Sequence, residues 1–137
     1  MKPPISVVLC TYNGAKYIEA QLASILAQTY AVAEIIVVDD VSSDDTMAVV
    51  ERAAARDSRI SLSQNNFNIG FTSNFESALQ MAKHDYIAIS DQDDIWHHQK
   101  IEKMMAAFEP DGAAIYCDSV RFTKEIPVNP TKNKSSR

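Results

Sequence analysis

Ile5-Ser6-Val7-Val8-Leu9-Cys10-Thr11-Tyr12-Asn13 opens as a β-branched apolar run and closes on polar residues suited to a turn. The run reads as a first strand. Beyond it, Ile18, Leu22, Ile25 and Leu26 recur at helical spacing, which predicts a helix from about Ala15 to Gln28 with Asn13 as its N-cap. The same alternation continues down the chain. Ile35-Ile36-Val37-Val38 is a second strand, followed by a helix with Asp44 and Asp45 in its first turn and Met47, Val50 and Ala54 on its buried stripe. Ile60 to Gln64 is a weaker third strand. Ser73 and Glu76 have the spacing of a capping box, opening a helix that buries Phe75, Leu79 and Ala82. Tyr86-Ile87-Ala88-Ile89 is a fourth strand, apolar on both faces. A helix from about Gln99 to Phe108 carries Ile101, Met104, Met105 and Phe108, and Ala113-Ala114-Ile115-Tyr116 is a fifth strand. Strands alternating with helices in this way imply an open, doubly wound, mostly parallel α/β sheet with helices on both faces.

Composition narrows the function. The chain has 137 residues, enough for one domain with a real core, and its 46% apolar and 23% charged residues are ordinary for a globular protein. A net charge of −5 argues against nucleic acid as a partner. Two cysteines, Cys10 and Cys117, support neither a disulfide framework nor a cysteine-rich zinc site. Three glycines, Gly14, Gly70 and Gly112, are too few and too scattered for a dinucleotide loop or a P-loop. Any phosphate must be held another way. No apolar run is long enough to span a bilayer, and Met1-Lys2-Pro3-Pro4 does not read as a secretory leader. Residues 126–137 shift to Pro, Asn, Ser and Lys and read as a loose tail or the start of a linker, leaving 1–125 as the folded unit.

In open α/β sheets, ligands bind outside the carboxyl ends of the strands. Those ends carry the distinctive polar residues: Thr11-Tyr12-Asn13, then Asp39-Asp40, Asn65-Asn66, Asp91-Gln92-Asp93-Asp94, and Asp118. Asn13, Ser43, Asp44 and Asp45 are explained well enough as caps and turns. The remaining carboxylates are not. Two like charges about 4 Å apart repel by roughly 4 kcal/mol at an effective dielectric near 20, so a rim of several raises pKa values or binds a cation. Asp91 and Asp93, two apart, point the same way in an extended segment. Carboxylates without paired histidine or cysteine suit Mg²⁺ or Mn²⁺, and such an ion would let an acidic pocket accept a diphosphate.

Taken in order, Cys10-Thr11-Tyr12-Asn13, Asp39-Asp40-Val41-Ser42-Ser43-Asp44-Asp45-Thr46, Asn65-Asn66-Phe67-Asn68-Ile69-Gly70-Phe71 with Asn74, and Ser90-Asp91-Gln92-Asp93-Asp94-Ile95-Trp96 resemble the motifs of family 2 glycosyltransferases. That family has the GT-A fold, with a Rossmann-like half that binds nucleotide-sugars. The resemblance covers roughly Ile5 to Ser119, and the forms Asn-Ile-Gly-Phe and Asp-Gln-Asp-Asp-Ile-Trp are similar to those of bacterial surface-polysaccharide transferases, rhamnosyltransferases among them. It implies metal-assisted, inverting transfer of a sugar from a UDP- or dTDP-sugar donor to a glycan or lipid-linked acceptor. Tyr12 would stack on the base with Thr11 beside it, and Asp39 would accept a base N–H. Asn13, Asp40, Asn68 and Asn74 complete the implied donor site. Asp91 would contact ribose or metal, Asp93 would ligate the metal, and Asp94 would touch the sugar or brace the loop, giving Asp93 and Asp94 the catalytic assignment. Trp96 reads as core or pocket wall, and His97 and His98 as solvated residues at a helix start.

Two departures qualify the resemblance. Val41 stands where the family often has a turn-forming residue, and a β-branched side chain resists positive φ, so a differently shaped turn is expected. The family's general base lies beyond the Asp-x-Asp segment, and after Asp118 only Glu125 offers a carboxylate. The chain is therefore expected to be the donor-binding half of a larger enzyme, binding nucleotide and metal while transferring sugar poorly alone. A purely non-catalytic binding module is the competing reading. A phosphoryl-accepting receiver or carboxylate phosphatase needs its aspartate at the end of strand one, where Thr11-Tyr12-Asn13 stands. The expected location is the cytoplasm, at the inner membrane face where acceptors are lipid-linked. Peripheral membrane association is implied for a full-length protein, although these residues show no amphipathic anchor.

Overall fold

A computed structural model of the chain describes residues 2–91 and 93–108. The order is β1 (Ile5–Thr11), α1 (Ile18–Leu26), β2 (Glu34–Asp39), α2 (Thr46–Arg56), β3 (Ile60–Gln64), α3 (Phe71–Leu79), β4 (Tyr86–Ser90) and α4 (Lys100–Ala107). All four strands are parallel, in the spatial order β3-β2-β1-β4. Register places Thr11 opposite Asp39 and Leu9 opposite Ser90, so the polar strand ends fall along one edge. The chain steps outward from β1 to β2 and β3, then returns to the other side of β1 for β4. That reversal opens a crevice at the carboxyl ends of β1 and β4, where such sheets bind their ligands.

Side-chain alternation divides the core between the two sheet faces. Ile5, Val7 and Leu9 of β1 with Ile35 and Val37 of β2 pack under Ile18, Leu22 and Ile25 of α1, Val50 of α2, Ile101 of α4 and the buried Trp96. Val8, Cys10, Ile36 and Val38 face the other way, against Phe75 and Ala78 of α3. Burial of β1 and β2 on both faces explains their near-continuous apolar character.

Local details depart from expectation. Helix α1 begins at Ile18 with Tyr17 at the N-cap and no side-chain cap bond, so Asn13 does not cap it. The Ser73–Glu76 capping box does not form either, because α3 starts at Phe71 and both residues lie inside it. Strand β4 is covered on one face only among the described residues: Tyr86 and Ala88 join the core, whereas Ile87 and Ile89 are 41% and 54% exposed. The expected fifth strand at 113–116, Asp118, Glu125, and the expected tail lie outside the described residues.

Val41 takes a positive φ of 65°. The turn after β2 therefore keeps the left-handed backbone that its side chain resists. What holds it is the next residue, whose N–H and hydroxyl both donate to the Asp39 carboxylate, at 2.8 and 2.6 Å. A left-handed conformation costs an ordinary residue about 1–2 kcal/mol, and Asn tolerates it better. Val41→Asn should stabilise the fold by about 1 kcal/mol, raising the thermal midpoint by about 3 °C in a calorimetric scan.

Candidate functional site

A cavity of about 490 Å³ occupies the crevice outside β1 and β4. Cys10, Thr11 and Tyr12 at the end of β1 form one side, with Asp40 from the end of β2. Asn68, Gly70, Phe71 and Asn74 close a second side, and Asp91 and Asp93, just past β4, form a third. Seven of the residues expected at a donor site thus meet here: Thr11, Tyr12, Asp40, Asn68, Asn74, Asp91 and Asp93. Tyr12 is 50% exposed and Phe71 69% exposed, so the cavity has aromatic surface at its mouth.

The carboxylates divide into two kinds. Asp39 is fully buried behind Thr11 and is engaged by protein donors: the Thr11 hydroxyl at 2.7 Å, the Ser42 hydroxyl and N–H, and Gln64 Nε2 at 3.0 Å. A base N–H reaches this carboxylate only if one of those donors yields. Asp40 is also buried and accepts the Ile69 and Gly70 N–H groups and Asn65 Nδ2, each at 2.9 Å. Burial pushes its carboxyl up, but these hydrogen bonds prevail and hold it below the usual range. Asn65 Nδ2 also donates to Asn74 Oδ1, Asn74 Nδ2 to the Val38 carbonyl, and Asn68 Nδ2 to the Asp40 carbonyl. Asp40, Asn65, Asn68 and Asn74 therefore form one network that fixes the loop entering α3. Asn13, outside the cavity lining, ties two loops together: its N–H donates to Ser42 Oγ and its Oδ1 accepts the Ser43 N–H, both at 2.8 Å. Asp44 joins this tie by accepting the Ala15 N–H and the Thr46 N–H and hydroxyl, and the Thr46 hydroxyl in particular holds its carboxyl low.

Asp91, Asp93 and Asp94 are of the other kind, exposed beyond β4. The Asp94 N–H donates to the Asp91 carbonyl at 3.1 Å, so the segment is a turn rather than the extended run expected, yet Asp91 and Asp93 both face the cavity. Partial desolvation, then the charges of Asp91 and Asp93, push the Asp94 carboxyl up against the pull of Lys100. Asp94 does not line the cavity, so it is not placed to touch a sugar there, and its N–H closes the turn. Among the described residues no group of three or more His, Cys, Asp or Glu converges on a metal position. Two hard carboxylate donors on the rim of this cavity nonetheless fit Mg²⁺ or Mn²⁺, which take one or two carboxylates and complete their shell with phosphate oxygens and water. Trp96 is core, at 5% exposure, with Lys100 Nζ 4.5 Å above its ring.

Gly70 and Phe71, read from the sequence as parts of a motif without a site role, both line the cavity. Gly70 has φ of +84°, a conformation glycine adopts freely, and it turns the chain into α3. The available signal was an aromatic placed directly after a glycine at a helix start. Cys10 also lines the cavity, and burial together with the Asp40 carboxylate pushes its thiol up to about 12.

Replacing Asp40 with Asn leaves one N–H facing an amide NH₂, and Asp40→Asn should cost about 2 kcal/mol in urea unfolding. The sign of its pH dependence follows from the depressed carboxyl: wild-type stability is fully present above the unfolded-state Asp value and falls as pH drops toward the folded one. The variant should lose part of that acid sensitivity.

The sequence model described as "Glycosyl transferase family 2" matches residues 6–136. The chain is 38% identical over 105 residues to UDP-Glc:alpha-D-GlcNAc-diphosphoundecaprenol beta-1,3-glucosyltransferase WfaP of Escherichia coli, an alignment covering 77% of this chain and 41% of that protein. The crystal structure of S. aureus TarS 1-349 in complex with UDP-GlcNAc superposes with a TM-score of 0.69 at 30% identity, covering 75% of this chain and 30% of that one. Mannosyltransferase PcManGT from Pyrobaculum calidifontis, in complex with GDP-Man and Mn2+, superposes with a TM-score of 0.65 at 31% identity, covering 70% and 29%. The chain thus spans well under half the length of each of these relatives. The parallel sheet, the motifs at its strand ends and the match over nearly the whole sequence agree: the chain belongs to glycosyl transferase family 2.

Proposed function

We propose that the chain is the donor-binding part of a glycosyltransferase, holding a UDP- or dTDP-sugar for metal-assisted, inverting transfer to a glycan or lipid-linked acceptor. The observation that carries the reading is the meeting of Tyr12 with Asp91 and Asp93 across one cavity at the β1/β4 reversal. An aromatic face for a base and two carboxylates for a cation together describe a nucleoside diphosphate with its counter-ion. In transfer, an acceptor hydroxyl oxygen attacks the anomeric carbon as the bond from that carbon to the diphosphate oxygen breaks, its proton passing to a general base that the family carries beyond the Asp-x-Asp segment. Asp93 and Asp91 would hold a divalent ion, which as a Lewis acid stabilises the charge on the departing diphosphate. Tyr12 would stack on the base, and Thr11, held by Asp39, would bear on its edge. The Asp94 N–H closes the turn. The UDP-GlcNAc held by TarS supports a UDP-sugar, the GDP-Man and Mn2+ held by PcManGT support a nucleotide-sugar accompanied by Mn²⁺, and the diphosphoundecaprenol acceptor of WfaP supports a lipid-linked acceptor. An acceptor of that class is reached at the inner membrane face, which is where we place the reaction.

A thermal-shift panel of UDP, dTDP and GDP, each with and without Mn²⁺, tests the reading without requiring an acceptor. A ligand at about 100 times its Kd should add about 2.7 kcal/mol, a rise of about 8 °C. Asp93→Asn should abolish the manganese-dependent part of the shift. Tyr12→Ala should weaken nucleotide binding about tenfold with or without the metal, the usual value of one stacked base. No shift with any nucleotide, or an undiminished manganese effect in Asp93→Asn, overturns the assignment.

A further inference from the structure

Helix α1 carries an anomaly on its buried stripe. Between Ile18, Leu22 and Ile25 sits Gln21, completely buried, with its Oε1 unpartnered among the described residues. A primary amide sealed in an apolar core is unfavourable unless both ends are paired, so packing alone favours a leucine or methionine here. The other end of the amide shows what it holds. Gln21 Nε2 donates to Ser90 Oγ at 2.7 Å, at the last residue of β4, and also to the carbonyl of Asp91. That carbonyl in turn accepts the Asp94 N–H and closes the acidic turn.

Gln21 is the first rung of a polar row at spacing i, i+3, i+7 along one side of the helix and its extension. Ser24 Oγ donates to the Gln21 carbonyl at 2.7 Å and accepts the Trp96 N–H at 3.0 Å. Gln28 Nε2 donates to the His97 carbonyl at 2.8 Å, and its Oε1 accepts the Ile101 N–H at 3.0 Å. The Thr29 N–H reaches the His98 carbonyl at 2.9 Å. The row and Thr29 therefore hold the backbone at Asp91, Trp96, His97, His98 and Ile101, while Asp91 and Asp93 line the cavity.

We propose that Gln21 is the positioning residue of the acidic turn, its buried amide fixing the Asp91 peptide so that both carboxylates are presented to a metal-bound diphosphate. This rests on the donor-site reading above. Residues that orient metal ligands from behind commonly change metal affinity by 10–100-fold when removed.

The test compares affinities for UDP with Mn²⁺ and for uridine, which lacks the phosphates, by calorimetric titration. Gln21→Met keeps the volume and removes the donors. It should weaken UDP with Mn²⁺ about tenfold or more while leaving uridine within about twofold. Ile25→Val, on the same helix but directed into the core, should leave both affinities at the wild-type level. Equal losses for UDP and uridine, no loss for UDP, or a matching loss in Ile25→Val overturns the proposal while the donor-site reading stands. Should Gln21→Met fail to fold, Ser24→Ala decides: about threefold weaker UDP binding with Mn²⁺ supports the row, and unchanged affinity overturns it. Where the protein binds dTDP rather than UDP, dTDP and thymidine take the places of UDP and uridine; wild-type protein that binds neither diphosphate with Mn²⁺ overturns the donor-site reading and this one with it.

Discussion

The site depends on a carboxylate that is not free to do chemistry. Asp40, buried at the end of β2, accepts two consecutive backbone N–H groups from the loop entering α3 and an amide from Asn65. Those N–H groups lie at the start of a helix, where unpaired donors and the helix dipole both favour an anion. One side chain thus replaces the capping box that α3 lacks, and does so from a strand end 29 residues away. Because the interaction joins the end of β2 to the loop entering α3, that wall of the crevice is fixed by the protein's own hydrogen bonds.

The acidic rim resolves into two functions on this basis. Asp39, Asp40 and Asp44 spend their lone pairs on the protein's own N–H and O–H groups, which removes them from competition for a cation. Asp91 and Asp93 line the opposite lip with far fewer partners among the described residues, and partial desolvation followed by their two charges pushes the neighbouring Asp94 carboxyl up. The contrast is one of geometry. After β2 the chain turns back over its own carboxylates; after β4 the turn is tied through the Asp91 carbonyl, which Gln21 of α1 and the Asp94 N–H both hold.

The alternation of strands and helices was legible because it rests on periodicity, and every described element falls within a few residues of its expected place. Helix starts were less legible. Asn13 has the right chemistry for a cap, but its side chain is claimed by Ser43, a partner 30 residues distant that no local pattern reveals. Ser73 failed for a similar reason: the anion at that helix start comes from Asp40. The polar residues of the site were found because they cluster after strands, and seven of them do line the cavity. Their division into structural and available groups required the hydrogen bonds. Gln21 stayed hidden because the apolar stripe around it was sufficient to identify the helix, and a single amide within that stripe carries no periodic signal.

Cys10 forms part of the cavity wall with its thiol pushed up to about 12. Oxidants and electrophiles attack the thiolate, and at neutral pH this sulfur is protonated in all but a negligible fraction of molecules. Cys10 is therefore a poor target for peroxide beside cysteines that are exposed and acidic, and it serves the cavity as a small apolar wall.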